Sequence, residues 1–356
     1  MKKNFFNFLK LAASMILLSS CGGSGFRGRV EENWLLYSQK LGDVSLAGVL
    51  GTQKYKIPIS RYSSDMKWSP DGNKICYVNG GDIYIYDLEK NNEKVVVSNV
   101  ESGPSVYGWY NDGKIYYWHY KDGGAGVLFE IRSYDTYNDR DASYLEFEIS
   151  KYFSVPSFEV SAIRNSKFIA YVYDYNYSSV NKIYTTLYYF DSNNVAYKVA
   201  NDIQTPHFSP DGRFIAFGKN DSVDPDNPMG LYLFDTDRPN IESVRVSSMS
   251  LVDQWNSLSW SSDSTKIVYS KGSSGLQICN IGSKEVIKLN AKIGYKFVWS
   301  PDGSKIAYIS SFPSGIRIIN SDGSNDIHFA DAETLVLSWQ PKSFGPGNLP
   351  TGGSSF

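Results

Sequence analysis

The residues able to do chemistry are few and scattered. Asp221-Ser-Val-Asp224-Pro-Asp226 gathers three carboxylates within six positions. Hard cations favour such oxygen clusters, yet the spacing matches no calcium loop, so these three are at most metal candidates beside a solvated polar loop. His119, His207 and His328 fall in three separate stretches, and none has a matched His or carboxylate partner at the same place in a neighbouring stretch. His207 stands beside Phe208 and reads as a packed strand residue. No Gly-x-Ser-x-Gly occurs, so no strained nucleophile turn is encoded. Gly123-Gly-Ala-Gly126 lacks the Lys-Ser/Thr of a phosphate loop and reads as a strand connector. No catalytic residue and no cofactor are expected. Aromatic side chains are the larger resource. Tyr120, Tyr175, Tyr177 and Trp255 stand in or beside connectors, and together with the aspartates they could form a surface that docks a protein or glycan.

Composition narrows the field. The chain has 356 residues, 15% of them aromatic, too many rings for a chain that stays unfolded in water. Basic and acidic residues nearly balance, 35 against 37, and the isoelectric point is near 6.0. Nucleic acid is not the expected partner, because binding it needs a basic surface to displace counterions. Three Cys exclude a disulfide-dense scaffold and a four-Cys zinc site.

Residues 1–20 read as a signal peptide. Lys2, Lys3 and Lys10 are its only charges, and the apolar run Leu11–Leu18 is too short to span a bilayer. The run ends in Leu18-Ser-Ser-Cys21, which resembles a bacterial lipobox: a branched apolar residue, two small residues and then Cys. The resemblance implies that Cys21 carries a diacylglycerol and, after cleavage before it, an acylated N-terminus. Each buried methylene contributes about 0.8 kcal/mol, so several chains hold a protein on a membrane that it does not cross. Residues 21–32 follow as a lipidated tether opening with Gly22-Gly-Ser-Gly25. Gly22 is not the Asp that resembles an inner-membrane retention signal, so the outer membrane is favoured in a host that has one. Losing residues 1–20 removes three lysines and no acid, leaving a body more acidic than the −2 of the whole chain.

A repeat organises residues 33–341. Trp68-Ser-Pro-Asp-Gly-Asn-Lys-Ile-Cys-Tyr77 returns as Trp299-Ser-Pro-Asp-Gly-Ser-Lys-Ile-Ala-Tyr308 and as Phe208-Ser-Pro-Asp-Gly-Arg-Phe-Ile-Ala-Phe217. Trp260–Tyr269 is a copy with an altered turn, Trp109–Tyr117 is one residue shorter, and Ser166–Tyr171 is eroded. Pro presets the second turn position, Asp bonds back to the backbone, and Gly takes the left-handed conformation. The apolar run that follows is a strand, and two more alternating runs come after it, as in Asp82–Asp87 and Lys94–Val97. Four antiparallel strands, called a to d in chain order, recur in units of about 40–50 residues, the signature of a β-propeller blade.

Counting the aromatic that ends strand b (Tyr77, Tyr117, Tyr171, Phe217, Tyr269, Tyr308) gives six complete units. Leu35-Leu-Tyr37 opens a partial unit without strand a, and the missing strand appears as Leu335–Trp339 at the other end. The expected fold is therefore all-β, a seven-bladed propeller closed by the C-terminal strand completing the N-terminal blade, with 342–356 a Gly/Pro/Ser tail. The pattern resembles the TolB-like propeller repeats of bacterial periplasmic proteins, a WD-like family carrying the Trp/Phe-Ser-Pro-Asp-Gly turn. The resemblance covers about residues 33–341 and implies a binding or scaffold role in the cell envelope. Certain similar propellers are polysaccharide lyases that work at the central channel, which is the alternative function. TolB's separate N-terminal α/β domain has no counterpart here, and its count is six blades, so its partners do not carry over.

Overall fold

A computed structural model describes residues 34–38, 44–48, 54–59, 64–98, 105–122 except 111, 126–150, 157–161, 167–175, 183–248 except 192, 194 and 221–228, 258–292 except 271–274, 294–331 except 312, and 337–341. Every regular element among them is a strand. The strands form seven four-stranded antiparallel sheets. Sheet 1 is built from 34–57 and 337–339; sheets 2 to 7 follow as 64–97, 105–150, 157–201, 203–248, 258–288 and 294–330. Within sheets 2 to 7 the strands lie in chain order, a to d. In sheet 1 the position of strand a is taken by Leu337–Trp339, which pairs with Trp34–Ser38 in the register Leu35 to Trp339 and Tyr37 to Leu337.

The a–b turn explains why the repeat folds as it does. Ser69 Oγ donates to Asp71 Oδ1 at 2.5 Å, and the N–H groups of Asn73 and Lys74 donate to Asp71 Oδ1 and Ser69 Oγ. The Gly72 N–H closes the turn on the Ser69 carbonyl, with Gly72 at φ 71°. Gly72 is also needed for space: a Cβ there would lie 2.8 Å from the Pro341 carbonyl oxygen. The same Ser–Asp bond recurs at 2.6 Å between Ser209 and Asp211, Ser261 and Asp263, and Ser300 and Asp302. In the altered copy Ser264 takes over the glycine position at φ 60°, so the turn survives without Gly. The repeated aspartates are thus consumed by turn chemistry.

Packing between sheets follows from alternation. In sheets 2, 3, 5, 6 and 7 strand b buries Ile and the marker aromatic on one face, and these reach the preceding sheet. Ile75 and Tyr77 join Trp34, Leu36 and Leu46 of sheet 1; Ile306 and Tyr308 join Val268 and Ile278 of sheet 6. Opposite faces carry small residues, Cys76, Ala216 and Ala307, all fully buried against the following sheet. Cys76 and Cys279 are free buried thiols. The Leu35, Tyr37 and Trp339 cluster packs sheet 1 against Ile316 and Ile318 of sheet 7.

The first strands of successive sheets touch one another, from Ser64–Trp68 and Ser105–Trp109 through to Gly294–Trp299 and Leu337–Trp339. Fourth strands are exposed, as in Val286–Lys288. The first strands therefore gather at the centre. Indole N–H groups link them: Trp260 Nε1 donates to the His207 carbonyl, Trp299 Nε1 to Ser259 and Trp339 Nε1 to Val298, at 2.9–3.1 Å.

Candidate functional site

In sheet 3 a polar network links buried His119, Glu130 and Tyr117 to half-buried Arg132 and partly exposed Asp141. Antiparallel register in sheet 3 sets Tyr117 opposite Arg132 and His119 opposite Glu130. Arg132 Nη1 reaches Glu130 Oε1 at 2.5 Å, and its Nε and Nη2 reach Asp141 Oδ2 on strand d at 2.9 and 2.7 Å. The Tyr117 hydroxyl donates to Asp141 Oδ1 at 2.9 Å. His119 Nε2 lies 2.8 Å from Glu130 Oε2, and both residues are buried. An ionised Glu130 only accepts hydrogen bonds, so this contact assigns the proton of His119 to Nε2. His119 Nδ1 has no partner among the described residues.

Sheet 7 repeats the core of this arrangement. Tyr308 donates to Asp326 Oδ1 at 3.0 Å, and Arg317 Nε donates to the same carboxylate at 2.9 Å. In sheet 2 Glu93 accepts from Tyr77. The marker tyrosines of sheets 2, 3 and 7 thus satisfy their buried hydroxyls with a carboxylate on or just before strand d, whereas Tyr269 uses Ser247 and Gln277. Burial, followed by the carboxylate's hydrogen bond and charge, raises the Tyr77 phenol; burial and then the Asp141 and Asp326 charges raise Tyr117 and Tyr308. Burial pushes Tyr189 and Tyr269 up to about 12. Burial opposes the charge of Arg132 and of Arg317, yet their hydrogen-bonded aspartates hold both above the ordinary arginine value. Such networks fix strand register, and their acceptors are already occupied.

The three histidines separate as the sequence indicates, into sheets 3, 5 and 7. The sequence reading missed Glu130, because only the b–c register places it against His119. His328 sits near the surface, 2.9 Å from Asp331. Among the described residues no group of three His, Cys, Asp or Glu side chains is placed to hold a metal ion. No helix is long and apolar enough to cross a membrane among the described residues.

Of the rim residues, Tyr120 lies within strand b of sheet 3, Lys114–Asp122, and Tyr175 ends strand b of sheet 4, Lys167–Tyr175. Tyr120 is thus a strand residue, because the hairpin of sheet 3 runs on through it. Tyr177, Trp255, Asp221, Asp224, Asp226 and Cys21 lie outside the described residues. Strand b runs five residues past the marker tyrosine in sheet 3 and four in sheet 4, against one to three elsewhere. At 3.3 Å per residue, strand b of sheet 3 reaches about 7 Å, and that of sheet 4 about 3 Å, past the longest other strand b among the described residues; Tyr175 ends the extension in sheet 4, while Tyr120 lies level with the strand ends of sheets 5 and 7.

Comparison with known proteins agrees with this architecture. Residues 27–108 match the family described as the dipeptidyl peptidase IV (DPP IV) N-terminal region. Oligogalacturonate lyase in complex with manganese is similar in structure, with a TM-score of 0.60 and 13% identity over 78% of this chain and 81% of the lyase. The β-propeller domain of the trilobed protease from Pyrococcus furiosus, which has an open velcro topology, gives 0.53 and 15% over 86% and 98%. TolB from Acinetobacter baumannii gives 0.45 and 17% over 88% and 68%. No curated protein matches the chain. The sheets and the likenesses to the lyase and to the protease's propeller domain define the class: an all-β protein of four-stranded antiparallel sheets with the β-propeller fold.

Proposed function

We propose that this chain is a lipid-anchored cell-envelope propeller of seven blades, closed by Leu337–Trp339 completing the first blade, that serves as a non-enzymatic binding scaffold. Its lipid is on Cys21, and its partner is a protein or an envelope polymer met at the b–c rim. The pairing of Leu35 with Trp339 and the shared cluster of sheets 1 and 7 support the closed ring.

One observation carries the binding role: sheets 3 and 4 overhang a rim whose opposite side is made of near-identical turns. The extra strand length carries the hairpins of sheets 3 and 4 beyond the level of Val78 and Ile309, which still pack between blades one residue past their marker tyrosines. Its effect is to carry Tyr175 past the strand ends of the other described blades, where a rigid ring makes strong contacts.

The test is photo-crosslinking in intact cells from position 175. A discrete adduct is expected, and it should disappear when Tyr120, Tyr177 and Trp255 are changed to Ala while the unfolding midpoint stays the same. An adduct pattern unaltered by those changes would contradict the rim assignment.

A further inference from the structure

The polypeptide joins and leaves the sheets on the rim of turns. In sheets 2, 3, 5, 6 and 7 one backbone bond closes the a–b turn, as from the Ser69 N–H to the Lys74 carbonyl and from the Ser300 N–H to the Lys305 carbonyl. In sheet 1 the Gln340 N–H makes that bond to the Trp34 carbonyl at 2.8 Å. Trp34 and Gln340 therefore take the places of Lys74 and Ser69, at the level where those sheets have a turn.

The turns adjoin one another from sheet to sheet. Gln340 Nε2 donates to the Gly72 carbonyl, the Asp211 N–H donates to Ser264 Oγ at 3.0 Å, and Ser262 Oγ donates to the Pro301 carbonyl at 2.9 Å. The c–d connectors abut the same rim. Thr136 Oγ1 donates to the Gly113 carbonyl at 2.6 Å, and Thr236 Oγ1 to the Gly212 carbonyl at 3.0 Å. A single surface thus holds a–b turns, c–d connectors and the entry point of the chain at Trp34.

That surface presents apolar side chains on braced backbone. Tyr137, 78% exposed, stands in the c–d turn of sheet 3, where the N–H groups of Tyr137 and Asn138 donate to Asp135 Oδ1. Its ring covers Gly113 so closely that a Cβ there would collide with it. Val195 and Ile241 are half-exposed in the c–d connectors of sheets 4 and 5, held by bonds from their N–H groups to Asp191 Oδ1 and to the Arg238 carbonyl. Val244, Val286 and Ile327 open strand d in sheets 5, 6 and 7 and are exposed as well. Charges nearby are paired, Lys94 with Asp139 and Arg238 with Asp235. A tyrosine and aliphatic side chains among paired charges suit the interface of a zwitterionic bilayer, where the ring meets hydrocarbon and the hydroxyl meets water.

We propose that the turn rim is a lipid-docking surface: Tyr137, Val195 and Ile241 settle into the headgroup region of the membrane and turn the b–c rim away from it. This rests on the Cys21 anchor proposed above. Residues 21–33 reach at most about 45 Å when fully extended, so the anchor holds the rim that carries Trp34 near the lipid. Docking is then intramolecular, and a few side chains suffice for it.

The experiment mixes the protein, its N-terminus as the cell leaves it, with phosphatidylcholine vesicles. A nitroxide is placed on Tyr137→Cys, Val195→Cys or Tyr175→Cys, the native thiols of Cys76 and Cys279 being buried. Power saturation compares collisions with oxygen, which concentrates in the bilayer, and with a water-soluble nickel chelate. Labels at 137 and 195 should favour oxygen, and the label at 175 should favour nickel. In Tyr137→Ser/Ile241→Ser the label at 195 should revert to nickel while the protein stays on the vesicles; a label that does not move overturns the role of these tips. Flotation of the same samples reads the anchor separately. Protein that fails to float sinks the anchor and the docking together, whereas protein that floats with 137 and 195 in water overturns the docking alone.

Discussion

The indole N–H of Trp339 donates to the Val298 carbonyl oxygen at 2.9 Å, while the matched indole of Trp68 is buried with no partner among the described residues. Trp260 and Trp299 make the bond that Trp339 makes. The ladder of first strands therefore runs through sheets 5, 6, 7 and 1 and lapses at sheet 2. Sheet 1 is the one whose first strand comes from the far end of the chain, and its fit to sheet 2 relies on Gln340 Nε2 donating to the Gly72 carbonyl.

Trp339→Phe should lower stability by about 1–3 kcal/mol, because it leaves a buried carbonyl without its donor. Trp68→Phe removes an unsatisfied donor and should cost less than about 1 kcal/mol, or stabilise slightly. Urea unfolding followed by fluorescence measures both. Equal losses would mean that the indole bonds contribute nothing.

The carboxylates that meet the marker tyrosines should differ in worth by burial. Asp326→Ala strands Arg317 in a closed site and should cost about 3–5 kcal/mol. Asp141→Ala should cost less, since Asp141 keeps 29% of its side chain in water and Arg132 retains Glu130. The ranking is read from unfolding midpoints of the two variants.

Alkali should unfold the protein in a defined window. Buried phenols have folded-state values above the unfolded value near 10, so their contribution is intact below pH 10 and is lost as pH climbs toward 12 and beyond. Phenolate absorbance should show one class of tyrosines titrating near 10 and a second appearing only with unfolding. Tyr269→Phe should weaken this dependence, though its hydroxyl also bonds Ser247 and Gln277. Stability that is flat from pH 9 to pH 12 would contradict the account.

Cys21→Ala should leave the protein either soluble or held with its signal uncut. Membrane fractionation with intact-mass analysis checks this. Processed Cys21→Ala protein that still sediments with membranes would place the anchor elsewhere.

What the sequence disclosed was local. Ser-Pro-Asp-Gly specifies its own turn through bonds spanning five residues, so the turn was readable wherever it occurred, and Cys76 declared its slot by standing where Ala216 and Ala307 stand. Relations between strands were less visible. Glu130 meets His119 only through the length of the b–c hairpin, and the carboxylates under Tyr77, Tyr117 and Tyr308 sit on or just before strand d at spacings that vary with each connector. Tyr120 read as a connector residue because nothing in Trp118-His-Tyr120 marks how far a hairpin continues. The interrupted indole ladder was equally silent, because Trp68 and Trp299 sit in almost the same sequence.

The ring is tested most directly by a covalent link across its seam. Leu36 and Ser338 are paired across the antiparallel strands of sheet 1. With both changed to Cys, mild oxidation should join the two ends of the chain in nearly all molecules, seen as a single disulfide-linked peptide pair by mass spectrometry, and should raise stability by up to about 5 kcal/mol. A folded protein in which positions 36 and 338 stay unlinked under the same oxidation would show that Leu337–Trp339 does not complete the first blade.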